Sequence, residues 1–564
     1  MTNCNILSNK GYKIPLSDIS SKKLESIMKE LTVTPNTMMS NNKDDENTSF
    51  TLYKLNEKYI TVPKYYGIEK FGKPETIKYN PIKSEMKFIL ELRDYQIPIV
   101  NKCMEHLNEH GGGLLSLPCG LGKTALGLKM ACNLGYKTLV VVHKSFLLDQ
   151  WKDRISQFTN AKIGIIRQNT IDVENKDIVI AMIQSLSKRN YDSEIFKDFG
   201  TVIYDESHHC ASRHFSKALI KTGAKYTISL SATPHRNDGL IKVMHWFLGK
   251  TMFKIKMKDN DQVISKIINF NSSDKDFKNR ERFIKGEMRA DCVKMETYLT
   301  LNNDRNKHLI NIINELRKDN KRKILILSGR KDHLKLLKQK VDKLIKIDID
   351  DNVIENDSCK TRFYTGDLKQ EDRFDAEENG DILFGTYSMA AEGLDVPKLN
   401  CIILATPKKD VVQSIGRVMR KVLQDGDLRP LIIDFKDSLN VYKNQGDKRE
   451  ALYRRGKYNI EHYYINDKEF IKPKEYTNIT KIDVKENKGI EFSSDLERIL
   501  KTPRVKLSKN YLLKHIEIQN IAEDKESDSE CIEEFNPSCN NKIVKKKFNE
   551  KRELPNLMNF LKKN

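Results

Sequence analysis

The sequence contains no run of about 18 apolar residues, the length a helix needs to cross a bilayer, so no membrane span is expected. The opening residues, Met-Thr-Asn-Cys-Asn, lack a basic stretch followed by an apolar one, and no secretion signal is expected. Ten cysteines occur without a single Cys-x-x-Cys pair. Cys119 sits in a glycine-containing loop, and Cys132 and Cys401 sit in apolar segments. That scatter fits buried thiols in a reducing compartment rather than a disulfide framework. His208, His209, Cys210 and His214 cluster, but their spacing matches no common zinc site. Apolar residues make up 38% of 564 positions, lean for that length, so several domains plus some surface arm or unstructured tail are expected.

Basic side chains are plentiful: 99 Lys and Arg against 78 Asp and Glu give a net charge of +21. Charge of this size is read equally well as a solvated lysine-rich surface or as a surface for a polyanion. From about residue 112 to 253 short β-branched runs alternate with amphipathic stretches. Thr138–Val142, 177–182, Thr201–Tyr204 and 226–230 read as buried strands. The rhythm restarts near 305 with 323–327, a helical 331–340, then 381–384, 401–405 and 431–434. Strands separated by helical segments imply βαβ units and parallel sheets, so two α/β domains in series are expected. Their expected bounds are 89–253 and 304–465, after an N-terminal accessory region at 1–88 and around a charged linker at 254–303. Residues 59–66 are apolar and aromatic, so the N-terminal region is expected to be partly folded, with a loop at 41–47. Past 466 the pattern dissolves into blocks of opposite charge, the acidic 523–534 and the basic 542–563. Disorder is expected there, with 555–561 as a candidate helix.

Three stretches carry chemistry jointly. Leu117-Pro-Cys-Gly-Leu-Gly-Lys-Thr124 follows a short strand and opens a helix. Gly120 and Gly122 permit backbone N–H groups to approach phosphate oxygens. Lys123 suits the β- and γ-phosphates, and Thr124 suits Mg²⁺. The strict spacing asks for glycine where Leu117 stands, so a glycine turn opening an ordinary helix remains the competing reading. Asp205 and Glu206 end the apolar strand 201–204; the first suits Mg²⁺, the second an attacking water. A surface acidic pair is the alternative. Gln413, Arg417 and Arg420 fall on one face of an expected helix, where the arginines would meet a γ-phosphate from the second domain. A solvated basic face is the alternative there.

Taken in order, these motifs resemble those of the superfamily 2 helicases and translocases of the DEAD/H type, over roughly 90–460. The resemblance implies two RecA-like domains and roles for further residues. Leu92-Arg-Asp-Tyr-Gln96 resembles the adenine-reading element, with Gln96 on the base. Residues 117–124 resemble motif I, so that Leu117, Pro118, Cys119, Gly120, Leu121, Gly122, Lys123 and Thr124 bind ATP together with Asp205 and Gln413. Val141–Trp151, which includes His143 and Lys144, resembles motif Ia and implies nucleic-acid contact. So do Gln184 and Ser185, Arg330 in Ser328-Gly-Arg330, and Thr386 at the head of motif V. Asp205-Glu-Ser-His208 resembles motif II, and Ser231-Ala-Thr233 motif III. Ser207, His208, Ser231, Ala232, Thr233, Gly393 and Asp395 are thereby implied in coupling the ATP site to the strand site. The catalytic set implied is Glu206, Lys123, Arg417 and Arg420, with Thr124 and Asp205 holding the metal.

Within the superfamily, Leu-Arg-x-Tyr-Gln, Pro-Cys-Gly-x-Gly-Lys-Thr and Leu-x-x-Gln-Trp resemble the branch of the excision-repair and transcription-factor helicase and of viral transcript-release DNA helicases. Tyr65–Gly72 and Ile432-Ile-Asp-Phe435 look most like the viral group. No Arg-Glu-Asp insert is found, so a repair role is not implied, and the tail resembles nothing. ATP and Mg²⁺ are the implied cofactors. DNA is the implied partner, with RNA polymerase and transcription factors beside it, in host cytoplasm or virion. An RNA helicase, an ATP-gated nucleic-acid scaffold and a restriction-motor subunit are the competing functions; no carboxylate-and-lysine nuclease site is found for the last.

Overall fold

A computed structural model describes residues 4–34, 49–118, 121–232, 239–257, 261–284, 286–318, 322–350, 359–394, 396, 398–417, 423, 425–466, 469–471, 504–505 and 516–518. The loop expected at 41–47 and the helix expected at 555–561 lie outside the described residues, as does most of the tail.

Lobe 1 is built on a mostly parallel sheet. Its strand order is Thr170–Asp172, Ile163–Arg167, Ile178–Met182, Thr138–Val142, Thr201–Tyr204, Tyr226–Ser231, Gly112–Ser116, Thr251–Met257, Ile516–Ile518. Only the two outermost pairings are antiparallel. The central strands are buried along their whole length because helices cover both faces, which is why they read as unbroken apolar runs. Lobe 2 repeats the plan in the order Thr361–Tyr364, Ile382–Thr386, Lys323–Ser328, Leu399–Leu404, Leu431–Asp437, Ile264–Asn271, Asn459–Asn466, Glu469–Ile471.

The stretch expected as a linker, 254–303, supplies strands to both sheets. Thr251–Met257 closes lobe 1, and Ile264–Asn271 pairs in parallel with Leu431–Asp437 and Asn459–Asn466 in lobe 2. Within that stretch, residues 258–263 run from one sheet to the other. Beyond them lie a two-stranded ribbon, Glu281–Ile284 with Glu287–Ala290, and the helix Cys292–Leu301. Lobe 2 likewise runs past 465, since Glu469–Ile471 is its edge strand. Further on, Arg504 bridges to Leu428, and Val505 is buried.

The N-terminal region forms its own five-stranded sheet, ordered Lys54–Leu55, Tyr59–Val62, Gly11–Pro15, Ile6–Ser8, Thr76–Lys78. Its apolar face, with Tyr12 and Ile14, merges with Tyr66 of the helix Lys64–Phe71 into a core shared with Val141, Val202 and Trp246 of lobe 1. Tyr66 meets Trp246 edge to face at 5.4 Å. Lys64 pegs the joint: its Nζ donates to Lys225 O at 2.7 Å and Ala224 O at 3.3 Å. Burial pulls its pKa down to about 7.

Candidate ATP and coupling site

In a doubly wound sheet ligands gather at the carboxyl ends of the strands. Four adjacent strands of lobe 1, Thr138–Val142, Thr201–Tyr204, Tyr226–Ser231 and Gly112–Ser116, deliver their following residues to one edge. That places His143, the Asp205–Glu206 pair, Ala232 and the loop from Leu117 side by side. Thr233, Cys119 and Gly120 belong to the same motifs but lie outside the described residues.

The loop fits a phosphate. Gly122 has φ +82°, a left-handed conformation that favours glycine, and the helix Lys123–Leu134 begins at the next residue. Leu117 explains the departure from the usual glycine: its side chain is wholly buried in the lobe core, and its N–H donates to Ser231 O at 3.2 Å. Lys123 Nζ donates to Leu117 O at 3.0 Å, so the ammonium lies over the loop. Gln96 braces the same loop from outside. Its Nε2 donates to Leu121 O at 3.1 Å, and its Oε1 accepts from Arg93 N at 3.1 Å. A Cβ at position 122 would collide with this amide.

Asp205 is held on both carboxylate oxygens. The indole Nε1 of Trp151 donates to Oδ2 at 2.8 Å, and Glu206 N donates to Oδ1 at 3.0 Å. Glu206 adopts φ 45°, ψ 51°, sparsely populated for a residue with a side chain; such strain gathers at functional sites. His208 Nδ1 lies 3.4 Å from Glu206 Oε2 and 3.2 Å from Ser231 Oγ, so one imidazole touches motifs II and III. The rings of His208 and His209 are 4.2 Å apart, and those of His209 and His143 4.1 Å. Among the described residues no group of three or more His, Cys, Asp or Glu side chains forms a metal site. The hydroxyl of Thr124 and the carboxylate of Asp205 are hard oxygen donors of the kind that would suit Mg²⁺ alongside phosphates.

The residues with expected nucleic-acid contacts are less uniform. His143 is buried, and its carbonyl accepts from Gln184 Nε2. Ser185 is buried too, accepting from Gln168 N at 3.0 Å. Lys144, Arg330 and Thr386 are partly exposed. Arg330 donates to Val293 O at 3.0 Å and sits 3.4 Å from Glu296.

Lobe 2 departs from expectation around 413–420. The helix there spans only Val412–Ile415, so Gln413 and Arg417 do not share a helical face. Arg417 is buried. Its Nε donates to Ala390 O at 2.9 Å, Nη1 to Leu394 O at 3.0 Å, and Nη2 to Ala391 O. These carbonyls follow the helix Tyr387–Glu392 or end it, a place where a guanidinium is favoured. In this arrangement Arg417 binds two segments of its own lobe together instead of projecting across the cleft. Arg420 and Asp395 lie outside the described residues. Gly393 does reach lobe 1: its carbonyl accepts from Gln150 Nε2 and lies 2.9 Å from the Tyr364 hydroxyl. Burial, foremost, keeps that phenol protonated. Gln150 and Trp151 are implied by the sequence only in nucleic-acid contact, as part of the motif Ia segment, and not in any contact with motif II or lobe 2. The available signal was Leu-x-x-Gln-Trp itself, one of only two tryptophans in the chain beside a polar residue.

Comparison with known proteins agrees with this geometry. Residues 89–236 match the family "Type III restriction enzyme, res subunit", and 304–422 match "Helicase conserved C-terminal domain". A protein of Acanthamoeba polyphaga mimivirus, named as an ATP-dependent RNA helicase, is 37% identical over 482 residues, covering 82% of this chain and 89% of its own. A protein of Invertebrate iridescent virus 6, named as a helicase, is 28% identical over 65% of this chain and 82% of its own. A DNA 3′-5′ translocase of Sulfurisphaera tokodaii is 29% identical over 36% of this chain and 44% of its own. With two RecA-like lobes and the motifs gathered at one sheet edge, the chain belongs to the superfamily 2 helicases, is akin to viral members, and is an ATP-hydrolysing enzyme.

Proposed function

We propose that this helicase is a DNA translocase or unwinding motor, acting in viral transcript release or recombination. The observation that carries the motor reading is the meeting, at one edge of lobe 1, of the phosphate loop, the Asp205–Glu206 pair and the His208–Ser231 link, with lobe 2 touching the adjoining helix Ser145–Phe158. Lys123 and the loop N–H groups bind the triphosphate. Thr124 and Asp205 would hold Mg²⁺, which would supply neutralisation of the phosphate charge. Glu206 orients the attacking water and takes its proton. The second lobe contributes positive charge on closure, so that hydrolysis is completed only in the closed arrangement. Arg420 is assigned that charge. Arg417 reaches phosphate only by giving up three carbonyls, so it is assigned first the holding of 412–417 against the motif V helix.

DNA is favoured over RNA by the resemblance of the motif I and motif Ia segments to those of DNA helicases, and by the likeness to a DNA translocase. The mimivirus relative's name favours RNA, and an RNA helicase is the second reading. ATPase stimulation by single-stranded DNA, duplex DNA and RNA decides between them, and release of a transcript from a stalled polymerase tests the role. Stimulation by RNA alone overturns the DNA reading. Turnover that no nucleic acid alters overturns both.

A further inference from the structure

The helix Ser145–Phe158 has two working faces. Leu147, Leu148, Trp151 and Ile155 are buried in lobe 1, and Trp151 donates to Asp205. Asp149, Gln150 and Asp153 face lobe 2. Asp149 lies 3.6 Å from Arg373, and Asp153 accepts from Gln370 Nε2 at 3.0 Å. Gln150 Nε2 donates to the carbonyl of Gly393. The fit at Gly393 is close, since a Cβ there would lie 2.9 Å from the Phe146 ring. Gln150 and Trp151 are neighbours, roughly 100° apart around the helix and about 1.5 Å apart along it. A rigid helix therefore carries any shift of Gln150 to the indole.

We infer that Gln150 and Trp151 form a lever: the hold of Gln150 on Gly393 sets the position of Trp151, and Trp151 sets the rotamer of Asp205. Both are positioning residues for hydrolysis, acting through a carboxylate instead of touching ATP. The inference rests on the reading that Asp205 holds Mg²⁺. It gives lobe 2 a route to the metal carboxylate that bypasses the phosphate loop. It also moves these two residues from expected strand contact to interlobe coupling. Outer partners that orient a metal-holding carboxylate are typically worth about 10- to 100-fold in metal affinity or activity.

The chain supplies its own probe. Trp151 and Trp246 are its two tryptophans, so Trp246→Phe leaves Trp151 as the sole indole emitter. In that background, Mg²⁺ with a non-hydrolysable ATP analogue is added with and without single-stranded DNA, duplex DNA or RNA. The nucleic acid that stimulates turnover is expected to shift Trp151 emission, and Gln150→Ala to abolish that shift. Gln150→Ala is also expected to lower stimulated kcat about tenfold, with unstimulated kcat within about twofold. In the otherwise natural chain, Trp151→Phe, which keeps an aromatic ring but loses the donor and some volume, is expected to raise the Mg²⁺ needed for half-maximal hydrolysis about tenfold with nucleic-acid binding unchanged. Full stimulation in Gln150→Ala, or an unmoved Mg²⁺ requirement in Trp151→Phe, overturns the lever. Asp205→Asn separates the two levels: if it retains turnover, the metal reading itself has failed, and if it abolishes turnover while Gln150→Ala stays fully stimulated, only the lever has failed.

Discussion

His208 Nδ1 stands 3.4 Å from Glu206 Oε2 and within hydrogen-bond reach of Ser231, so the residue assigned to water activation shares an imidazole with motif III. Replacing His208 with Ala is expected to leave slow unstimulated hydrolysis and to remove most of its acceleration by nucleic acid. ATPase rates with and without the strand check this; equal loss of both rates would place His208 in the chemistry instead of the coupling.

Glu206→Gln keeps shape and loses the base. Turnover is expected to fall by about 10²- to 10⁴-fold, with nucleic-acid binding retained. Near-normal turnover in a folded variant refutes the assigned role.

The two arginines of 413–420 are expected to part company. Arg420→Ala lowers kcat by about 10³-fold or more while ATP affinity changes far less, because its contact forms at closure. Arg417→Lys, unable to serve three carbonyls, lowers the thermal stability of lobe 2 as well as activity. If Arg417→Lys melts like the parent protein, the holding role is wrong.

Ser207 is fully buried, and its Oγ has no hydrogen-bond partner among the described residues. Ser207→Ala removes a desolvated hydroxyl without opening a large cavity. Stability is expected to rise by about 1 kcal/mol, seen as a melting temperature higher by a few degrees, with turnover unchanged. A lower melting temperature shows that the hydroxyl has a partner.

Lys64 gives the N-terminal joint a pH dependence. Burial lowers its pKa to about 7, against the ordinary 10.5. Below the lower value both folded and unfolded chains carry the proton; above the higher one neither does. Between them the unfolded chain alone holds it, so stability rises with pH across that window, by at most about 1.4 kcal/mol per pH unit. Denaturant titrations at pH 7 and pH 10 read the slope. Lys64→Met is expected to flatten it, and an unchanged slope in that variant assigns it elsewhere.

The central strands and the order of the motifs were legible because parallel strands covered on both faces are written as continuous apolar runs. The strand Ile264–Asn271 was not, because Lys266 interrupts its pattern. In the fold that ammonium is buried, 3.5 Å from Glu461 on the neighbouring strand, and such a cross-strand partner leaves no local trace. Burial of Lys266 pulls its pKa down, with Glu461 opposing. The same holds for Arg305 with Asp437, a fully buried pair 132 residues apart, and for Arg449 with Asp434, a fully buried pair joining a helix to the strand before it. At the site, residue types were readable but directions were not. The sequence offers Arg417 as a cation on a helix, and only the backbone shows the helix stopping at Ile415 and the guanidinium turning to carbonyls of its own lobe.

Six residues, 258–263, run between the last central-sheet strand of one lobe and a strand deep inside the other. A fully stretched chain covers about 3.3–3.6 Å per residue, so this leash pays out little more than roughly 25 Å from anchor to anchor. Both ends are woven into sheets and cannot lengthen it by fraying. A lobe that separates from the other therefore swings on a short radius and meets the same neighbour again.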